Sequence, residues 1–392
     1  MGAKLRLAER MSRLGTETAF EVLARARALE ASGKEIIHLE IGEPDFDTPE
    51  FIRKAAQKAL DAGYTHYTPA AGLPEVRKVV AEYLSRKINV PFKLENIVIT
   101  PGAKPIMFLS ILTLIETGDE VVYPNPGFPI YESAVNFVGG RAVPYALEDG
   151  DGFRMRGEKL KNLITDKTRM LIMNSPHNPT GSVLGKKELE EIYEVVKNRE
   201  DIWILSDEIY SRGLYGGTHV SIASFPGMAE RTIVLDGMSK AYAMTGWRLG
   251  FGAMPEALAQ AVTKLAINDF SCTSAYGQKA IEAGLTGPQD EVDKMASEFR
   301  ARRDLIVSGL RKIPRLTVTE PEGAFYVFPS IKEFGKSSKE IADYLLEQAG
   351  VACLSGTAFG KYGEGYIRFS YANSQQNIRR ALEKIKTALE KI

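Results

Sequence analysis

The sequence predicts an α/β fold, with a large domain built on a mainly parallel sheet and a smaller α+β domain. From Pro49 to about Leu285, short apolar runs alternate with amphipathic helical patterns, which is typical of βαβ units. From about Pro288 this alternation is replaced by a long charged helix and then by short strands between helices. A chain of 392 residues also exceeds the size at which one core usually stops growing, so two domains are expected.

The individual elements follow from local patterns, taken in chain order. A helix over Phe20 to Leu29 and a strand over Ile36 to Leu39 open the chain, and the apolar stretch Ile106 to Ile115 lies in a buried helix that begins at Ala103. Strands that are short, apolar and closed by a turn signal end at Thr100, Pro124, Asn174, Ser206, Asp236 and Ala253. Beyond the long helix, the segments GAFYVF, VACLS and YIRFSY are interpreted as strands, and a last helix runs to Ile392.

Composition and charge indicate a small molecule as the partner. Fifty basic side chains balance fifty acidic ones, so no net field recruits nucleic acid or an anionic membrane. No segment approaches the roughly 20 apolar residues of a membrane span, and no secretory signal is found, which predicts a cytoplasmic protein. Cys272 and Cys353 lie far apart without a CxxC pattern or clustered histidines, so we expect free thiols and no metal site.

Polar segments follow four of the predicted strands directly. They are Pro101 to Lys104 (PGAK), Ser175 to Gly181 (SPHNPTG), Asp207 to Tyr210 (DEIY) and Gly237 to Arg248 (GMSKAYAMTGWR). Open α/β sheets bind ligands at the carboxyl ends of their strands. We therefore expect these four segments to meet at one binding site.

Several residues in these segments carry useful chemistry. Lys240 is a candidate amine nucleophile and Arg248 a candidate phosphate clamp, although most lysines are simply solvated. Asp207, just past a buried strand, needs a cation or a donor; a pyridinium nitrogen would serve, and capping of the next helix is the alternative. At Gly102 the chain turns into a helix whose free N–H groups can bind an anion such as phosphate, although such a helix start is more often structural.

Three further side chains suit an aromatic, oxygen-bearing ligand. Asn178 and Tyr210 can both donate to a phenolate oxygen, and Phe128 offers a flat apolar face. Seen singly, each is more often explained by packing or turn chemistry. Arg368 lies in an apolar strand, where it needs an anionic partner, either a ligand or an internal acid.

Eight segments together resemble the class I and II aminotransferases, the aspartate-aminotransferase-like family of pyridoxal 5'-phosphate (PLP) fold type I. They occur in family order from about residue 15 to 390: GEPDFDTP from Gly42, YTPAAGLPEVR from Tyr67, PGAK, SPHNPTG, SDEIY, SKAYAMTGWRLG from Ser239, GAFYVF and YIRFSYA. The resemblance implies a seven-stranded sheet flanked by helices. It divides the chain into residues 1–45 (N-terminal arm and part of the small domain), 46–285 (large PLP-binding domain) and 286–392 (C-terminal small domain).

The resemblance also implies a role for each candidate residue. Lys240 would bind PLP covalently and then move a proton, Asp207 would keep the pyridine nitrogen protonated, Asn178 and Tyr210 would hold the ring oxygen, and Phe128 would stack on the ring. The phosphate would be held by Arg248, by Ser239, by the backbone at Gly102, Ala103 and Lys104, and by Tyr67 from a second subunit. Arg368 and the backbone at Gly42 would bind the substrate α-carboxylate, and Asn178 would also contact the substrate.

By this resemblance the protein is a homodimer with shared active sites. It would transfer the amino group of an L-amino acid to a 2-oxo acid, with 2-oxoglutarate expected as acceptor, by a ping-pong mechanism. A PLP-dependent β-lyase of the same fold and a non-catalytic binding protein on this scaffold are the open alternatives.

The sequence departs from the family pattern in ways that concern phosphate and substrate. Gly237 stands where many relatives carry a phosphate-binding serine. Lys104 indicates acidic substrates, but Asn268 lies where animal-type aspartate aminotransferases have a partner-subunit arginine. Aspartate, aromatic, branched-chain and alanine specificities all remain open, and we expect them to depend on loops and on the segment Ala19 to Val22.

Overall fold

The computed structural model describes residues 5–392, which form twelve α-helices and twelve β-strands. The helices are α1 (Ala19–Ala31), α2 (Glu50–Asp61), α3 (Pro74–Ile88), α4 (Lys104–Leu114), α5 (Ile130–Val138), α6 (Gly157–Lys161), α7 (Lys186–Val196), α8 (Glu256–Asp269), α9 (Ala275–Thr286), α10 (Asp290–Leu310), α11 (Ser338–Tyr344) and α12 (Gln375–Leu389). The strands are β1 (Ile37–His38), β2 (Ile97–Thr100), β3 (Glu120–Asn125), β4 (Arg141–Ala146), β5 (Thr168–Asn174), β6 (Trp203–Asp207), β7 (Thr232–Gly237), β8 (Gly250–Ala253), β9 (Tyr326–Val327), β10 (Val351–Ala352), β11 (Leu354–Ser355) and β12 (Ile367–Ser370).

The large sheet has seven strands in the order β2-β8-β7-β6-β5-β3-β4. Strand β8 runs antiparallel to both of its neighbours, and every other pairing is parallel. The predicted mainly parallel seven-stranded sheet is therefore confirmed. Because β5, β6 and β7 run side by side in one direction, their carboxyl ends lie at the same edge of the sheet.

Helices cover both faces of this sheet, which explains why its central strands are apolar throughout. On one face, Ile172 and Leu205 pack in a core with residues of α4 and α8. On the other, Leu171 and Ile204 pack with residues of α7. The strands alternate faces residue by residue, and both faces are buried.

A second core joins the C-terminal part of the chain. Strands β11, β12 and β9 form a three-stranded antiparallel sheet, and β1 pairs in parallel with β10. Helices α10, α11 and α12 pack on them through buried residues such as Ile306, Ile341 and Ile378. Helix α10 packs against both sheets. Its residue Val292 lies in a core with residues of β2, β7 and β8, and Ile306 lies in the core of the C-terminal part. The domain boundaries expected from the sequence stay a prediction.

Three further observations concern membrane spans, metal sites and cysteines. None of the helices described for residues 5–392 combines the length and apolar character of a membrane span. Within the same range, no group of three or more His, Cys, Asp or Glu side chains is placed to hold a metal ion. Cys272 is partly buried and Cys353 buried, and both are free, as predicted.

Candidate active site

A cavity of about 560 Å³ lies at the carboxyl ends of β5, β6 and β7. All the site residues expected from the sequence, except Gly102 and Tyr67, line it: Gly42, Ala103, Lys104, Phe128, Asn178, Asp207, Tyr210, Ser239, Lys240, Arg248 and Arg368. Gly102 lies against Arg248 at the cavity edge. Tyr67 is 90% exposed and is not part of the cavity wall formed by residues 5–392 of this chain.

Asp207 is buried at the end of β6 and accepts two hydrogen bonds. The hydroxyl of Tyr131 donates to Oδ2 at 2.6 Å, and the backbone N–H of Ile209 donates to Oδ1 at 3.2 Å. Burial raises the pKa of Asp207 to about 6, although these two donors pull it down. A positively charged ligand atom in the cavity would therefore be attracted to this carboxylate.

Lys240 follows β7 and extends into the cavity, where its Nζ donates a 2.6 Å hydrogen bond to the carbonyl of Gly42. Burial and, to a smaller extent, the nearby charge of Arg368 lower the pKa of Lys240 to about 8. Compared with an exposed lysine, a far larger fraction of Lys240 is the neutral amine near pH 7. The side chain is thus suited to nucleophilic attack and to proton transfer.

Arg368 is a buried cation on β12 without an acidic partner among the described residues. Its Nη1 donates to Oδ1 of Asn178 at 3.0 Å and its Nη2 to the carbonyl of Glu40, while its buried Nε has no partner within residues 5–392. The guanidinium lies 4.5 Å from the ring centre of Tyr326 and 4.8 Å from that of Phe359. An internal ion pair, one explanation for Arg368, is therefore not observed, and a ligand carboxylate would satisfy it.

Tyr210 is positioned by a second tyrosine, Tyr326, which the sequence reasoning did not single out. The two hydroxyls lie 2.7 Å apart, and the rings meet edge to face. Burial raises the pKa of Tyr210 well above its ordinary value, so its hydroxyl stays protonated. Tyr326 is part of the GAFYVF segment, which indicated only a strand. Its contacts with Tyr210 and Arg368 could not be found from the strand pattern.

The opposite part of the site is built for an anion. Gly102 has a φ of +86°, a backbone conformation that favours glycine, and a Cβ at this position would lie 2.1 Å from Nη2 of Arg248, so a side chain here would displace the guanidinium. The chain then enters α4, whose first N–H groups, at Ala103 and Lys104, lie at a helix N-terminus facing the cavity. Ser239 also lines the cavity, and its hydroxyl makes no hydrogen bond with the described residues.

Close packing of β7 against β8 explains why position 237 is a glycine. Gly237 pairs with Gly250 between β7 and β8, and a Cβ at Gly237 would lie 2.9 Å from the Gly250 Cα and 3.0 Å from the Leu249 carbonyl oxygen. A serine therefore does not fit at position 237 with the strands this close. Ser239, two residues later, presents its hydroxyl to the cavity instead.

The side chain of Lys104 is paired with an acidic residue that sequence reasoning missed. Its Nζ forms an ion pair with Glu17 and lies 5.3 Å from the ring centre of Phe128. Glu17, Ala19 and Phe20 form part of the cavity wall. The expected specificity segment, Ala19 to Val22, begins two residues after Glu17 and is the nearest signal that could have indicated it.

Comparison with known proteins determines which of the possible functions applies. The family model described as aminotransferase class I and II matches residues 34–385. The chain belongs to this family. It is 41% identical over 365 residues to the aspartate aminotransferase of Pyrococcus abyssi, covering 92% of this chain and 93% of the relative. It is 40% identical over 359 residues to the aromatic-amino-acid aminotransferase 2 of Thermococcus litoralis, covering 91% and 92%.

The fold agrees with that of a solved member of the family. The aspartate aminotransferase of Thermus thermophilus with maleate superimposes with a TM-score of 0.94 at 34% identity, over 98% of this chain and 100% of that chain. The protein is thus a PLP-dependent aminotransferase of fold type I. The predicted family, fold, cofactor and transaminase activity are confirmed, and the lyase and binding-protein alternatives are set aside.

The donor set of this aminotransferase fits PLP on structural grounds. The glycine cradle at Gly102, next to Arg248 and the start of α4, suits a phosphate. The buried carboxylate of Asp207 suits a protonated ring nitrogen, and the amine of Lys240 suits an aldehyde carbon. The unpartnered Nε of Arg368 leaves a donor for a substrate carboxylate in the same cavity.

Proposed function

We propose that this aminotransferase transfers the amino group of an L-amino acid to 2-oxoglutarate, with Lys240 as the lysine that carries PLP. The observation that supports this most is the position of Lys240. It enters the same cavity as a buried acid, Asp207, and a buried arginine that has no acidic partner among the described residues, Arg368. This combination can hold a cationic ring nitrogen and an anionic substrate around one amine.

The remaining residues would hold the cofactor from its two ends. Arg248, Ser239 and the N–H groups of Ala103 and Lys104 would bind the phosphate. Asp207 would bind the pyridine nitrogen, Asn178 and Tyr210 the ring oxygen, and Phe128 would cover the ring. When bound, PLP supplies an electron sink that stabilises negative charge at the substrate α-carbon.

Lys240 would perform the proton transfer. With a pKa of about 8, its amine can take the proton from the substrate α-carbon and return it without a large free-energy cost. The Gly42 carbonyl, 2.6 Å from Nζ, orients the amine. Arg368 would bind the α-carboxylate through Nε and an Nη, which fixes the α-carbon beside Lys240.

The donor amino acid would have an acidic or an aromatic side chain. The relatives named above act, by their names, on aspartate and on aromatic amino acids. The cavity offers a cation at Lys104 and flat faces at Phe128 and Phe20. Asn268 cannot supply a cation: it is exposed on α8, where it donates to the Lys264 carbonyl at 2.8 Å. Lys104 is then the cation proposed for a second substrate carboxylate.

We further propose a cytoplasmic, biosynthetic homodimer with shared sites. Tyr67, 90% exposed in the single chain, would reach the phosphate of the partner's cofactor. The N-terminal arm carries exposed apolar side chains, Leu5 at 83% and Leu7 at 64%, which a second copy would bury. The two free thiols are typical of a reducing compartment.

The proposed function is tested by following each half-reaction through the visible absorbance of the cofactor. The visible absorbance of the PLP-loaded protein is recorded as L-amino acids are added one at a time. An accepted donor should bleach the band of the lysine-bound cofactor, and 2-oxoglutarate should then restore it. If PLP binds but no amino acid changes the band, the proposal is wrong.

Changing Lys240 to Ala tests whether Lys240 is the lysine that gives rise to the absorbance band of the bound cofactor. The variant should retain PLP noncovalently but lose at least the roughly 10²- to 10⁴-fold that acid–base catalysis contributes. Lys197→Ala is the control, because Lys197 is a surface lysine whose one ion pair within residues 5–392 is with Glu194. Turnover by Lys240→Ala at the parent rate would refute the assignment.

A further inference from the structure

The segment from Gly15 to Phe20 is anchored across one side of the cavity. The Gly15 N–H donates to Oγ of Ser133 on α5 at 2.9 Å, and the same hydroxyl lies 3.3 Å from the Gly15 carbonyl. Ser133 is buried, so this attachment is a fixed point on the large domain. Glu17 follows two residues later and enters the cavity wall together with Ala19 and Phe20.

Glu17 and Lys104 form an ion pair within that wall. The Glu17 side chain is 20% exposed and that of Lys104 is 45% exposed, so the pair is only partly screened by solvent. Lys104 also lies above Phe128, the ring proposed to cover the cofactor. The pair therefore lies in the cavity wall beside the ring proposed to cover the cofactor.

The other cations of the cavity already have partners or tasks. Among the described lining residues they are Lys240, Arg248 and Arg368, assigned above to the cofactor, its phosphate and the α-carboxylate. Glu17 is close enough to influence them: burial and Arg368 lower the pKa of Lys240, whereas Glu43 and Glu17 oppose this shift. Its charge is therefore part of the electrostatics of the site.

We propose that Glu17 is a specificity-determining residue that occupies Lys104 in place of a substrate side-chain carboxylate. A dicarboxylic amino acid must displace Glu17 from Lys104 and overcome repulsion between two carboxylates. An amino acid with a neutral side chain leaves the pair intact and packs against Phe128 and Phe20. The inference rests on the proposed function, which places the α-carboxylate at Arg368.

Glu17→Gln tests this by removing the charge while keeping the size of the side chain. The probe is maleate, a dicarboxylate that lacks an amino group and cannot react. Calorimetric titration of the PLP-loaded enzyme should show maleate binding roughly tenfold more tightly to Glu17→Gln than to the parent, a change of about 1.4 kcal/mol. Binding of the monocarboxylate 3-phenylpropionate should change by less than about twofold, since it has no second carboxylate to compete with Glu17 for Lys104.

Two controls separate the local contact from the net charge. Glu82→Gln makes the same charge change at an exposed position on α3 that has no ion pair within the described chain, and maleate affinity should stay at the parent value. In a Lys104→Met background, Glu17→Gln should improve maleate binding by a smaller factor, because the competition for Lys104 is gone and only the repulsion between the two carboxylates remains.

The outcomes are distinct. Equal maleate affinity in Glu17→Gln and the parent, or an equal gain in Glu82→Gln, would overturn the role of Glu17 and leave the transaminase function intact. Failure of the parent to bind 3-phenylpropionate, together with an unresponsive spectrum, would overturn the proposed site and the inference with it.

Discussion

The hydroxyl of Tyr131 donates a 2.6 Å hydrogen bond to Oδ2 of the buried Asp207 carboxylate. Tyr131 lies in the first turn of α5, and Asp207 is the last residue of β6. Burial raises the pKa of Asp207 to about 6, and Tyr131 provides the strongest opposing influence. The ionised form of Asp207, which a cationic ring nitrogen requires, therefore depends on Tyr131.

Changing Tyr131 to Phe should weaken PLP binding by about tenfold at pH 7, since a hydrogen bond to a charged group contributes about 1.5 kcal/mol or more. Oδ2 loses its donor, and the pKa of Asp207 rises further. Equilibrium dialysis of the apoenzyme against PLP measures the effect. Tyr145→Phe is the control, because Tyr145 is buried outside the cavity, where its hydroxyl accepts from the Arg156 N–H at 2.8 Å. Equal PLP affinity in both variants would contradict the role given to Tyr131.

Changing Arg368 to Lys should raise KM for every amino acid by a similar factor, about 10- to 100-fold, because all substrates share the α-carboxylate and lysine cannot make the two-pronged contact. Steady-state kinetics with an acidic, an aromatic and a small amino acid give the three ratios. Arg231→Lys is the control: Arg231 is buried but binds backbone carbonyls, including that of Val196 at 2.9 Å. It should lose stability and keep its KM values. A selective loss of one substrate in Arg368→Lys would place Arg368 near the side chain instead.

Changing Tyr67 to Phe should speed the release of PLP, because one donor to the phosphate is lost. If Tyr67 acts across a dimer, mixing Tyr67→Phe with Lys240→Ala should restore slow release at one site of each mixed dimer. That site combines Lys240 of the first chain with Tyr67 of the second. The loss rate of the visible band after mixing and re-equilibration measures this. Release that stays at the Tyr67→Phe rate in the mixture would exclude a contribution across the interface.

Changing His38 to Gln should destabilise the protein in a pH-dependent way. His38 Nδ1 lies 2.7 Å from Oε1 of buried Glu40, and this hydrogen bond raises the pKa of His38 to about 9. A raised pKa means that the stabilisation is fully present below the ordinary value of about 6.5 and is lost as the pH rises through 9.

The loss should therefore be about 2 kcal/mol of unfolding free energy at pH 6 and close to zero at pH 10. Urea denaturation across this range gives the two curves. His66→Gln, at an exposed histidine, should follow the parent at every pH. A difference between parent and His38→Gln that is constant with pH would show that protonation of His38 is not involved.

The strands of the large sheet were largely predictable, and the exception is informative. Six strands have apolar runs because they are covered by neighbours, and β2, β3, β5, β6, β7 and β8 were expected within a few residues of their observed ends. Strand β4 was missed. It lies at the edge of the sheet, where its residues are mostly only partly buried and Pro144 interrupts the run, so burial leaves no continuous apolar signal.

The site was predictable where it depends on strand ends and not where it depends on distant contacts. Asp207 and Lys240 follow buried strands directly, and parallel topology brings such positions together. The contacts made by Tyr131, Tyr326 and Glu17 join residues separated by 76, 116 and 87 positions, respectively. No local pattern encodes such pairs, so only the folded chain shows them.

The close contact between Gly237 and Gly250 also limits how this enzyme can evolve. A mutation that introduces a side chain at either position meets backbone atoms: a Cβ at Gly250 would lie 2.2 Å from the Ala103 nitrogen, and one at Gly237 2.9 Å from the Gly250 Cα. A serine at position 237 is thus not accessible by a single substitution, because β8 would have to move first. In the proposed site, Ser239 and the residues that position Arg248 are then the places where a substitution can change phosphate affinity without moving β8.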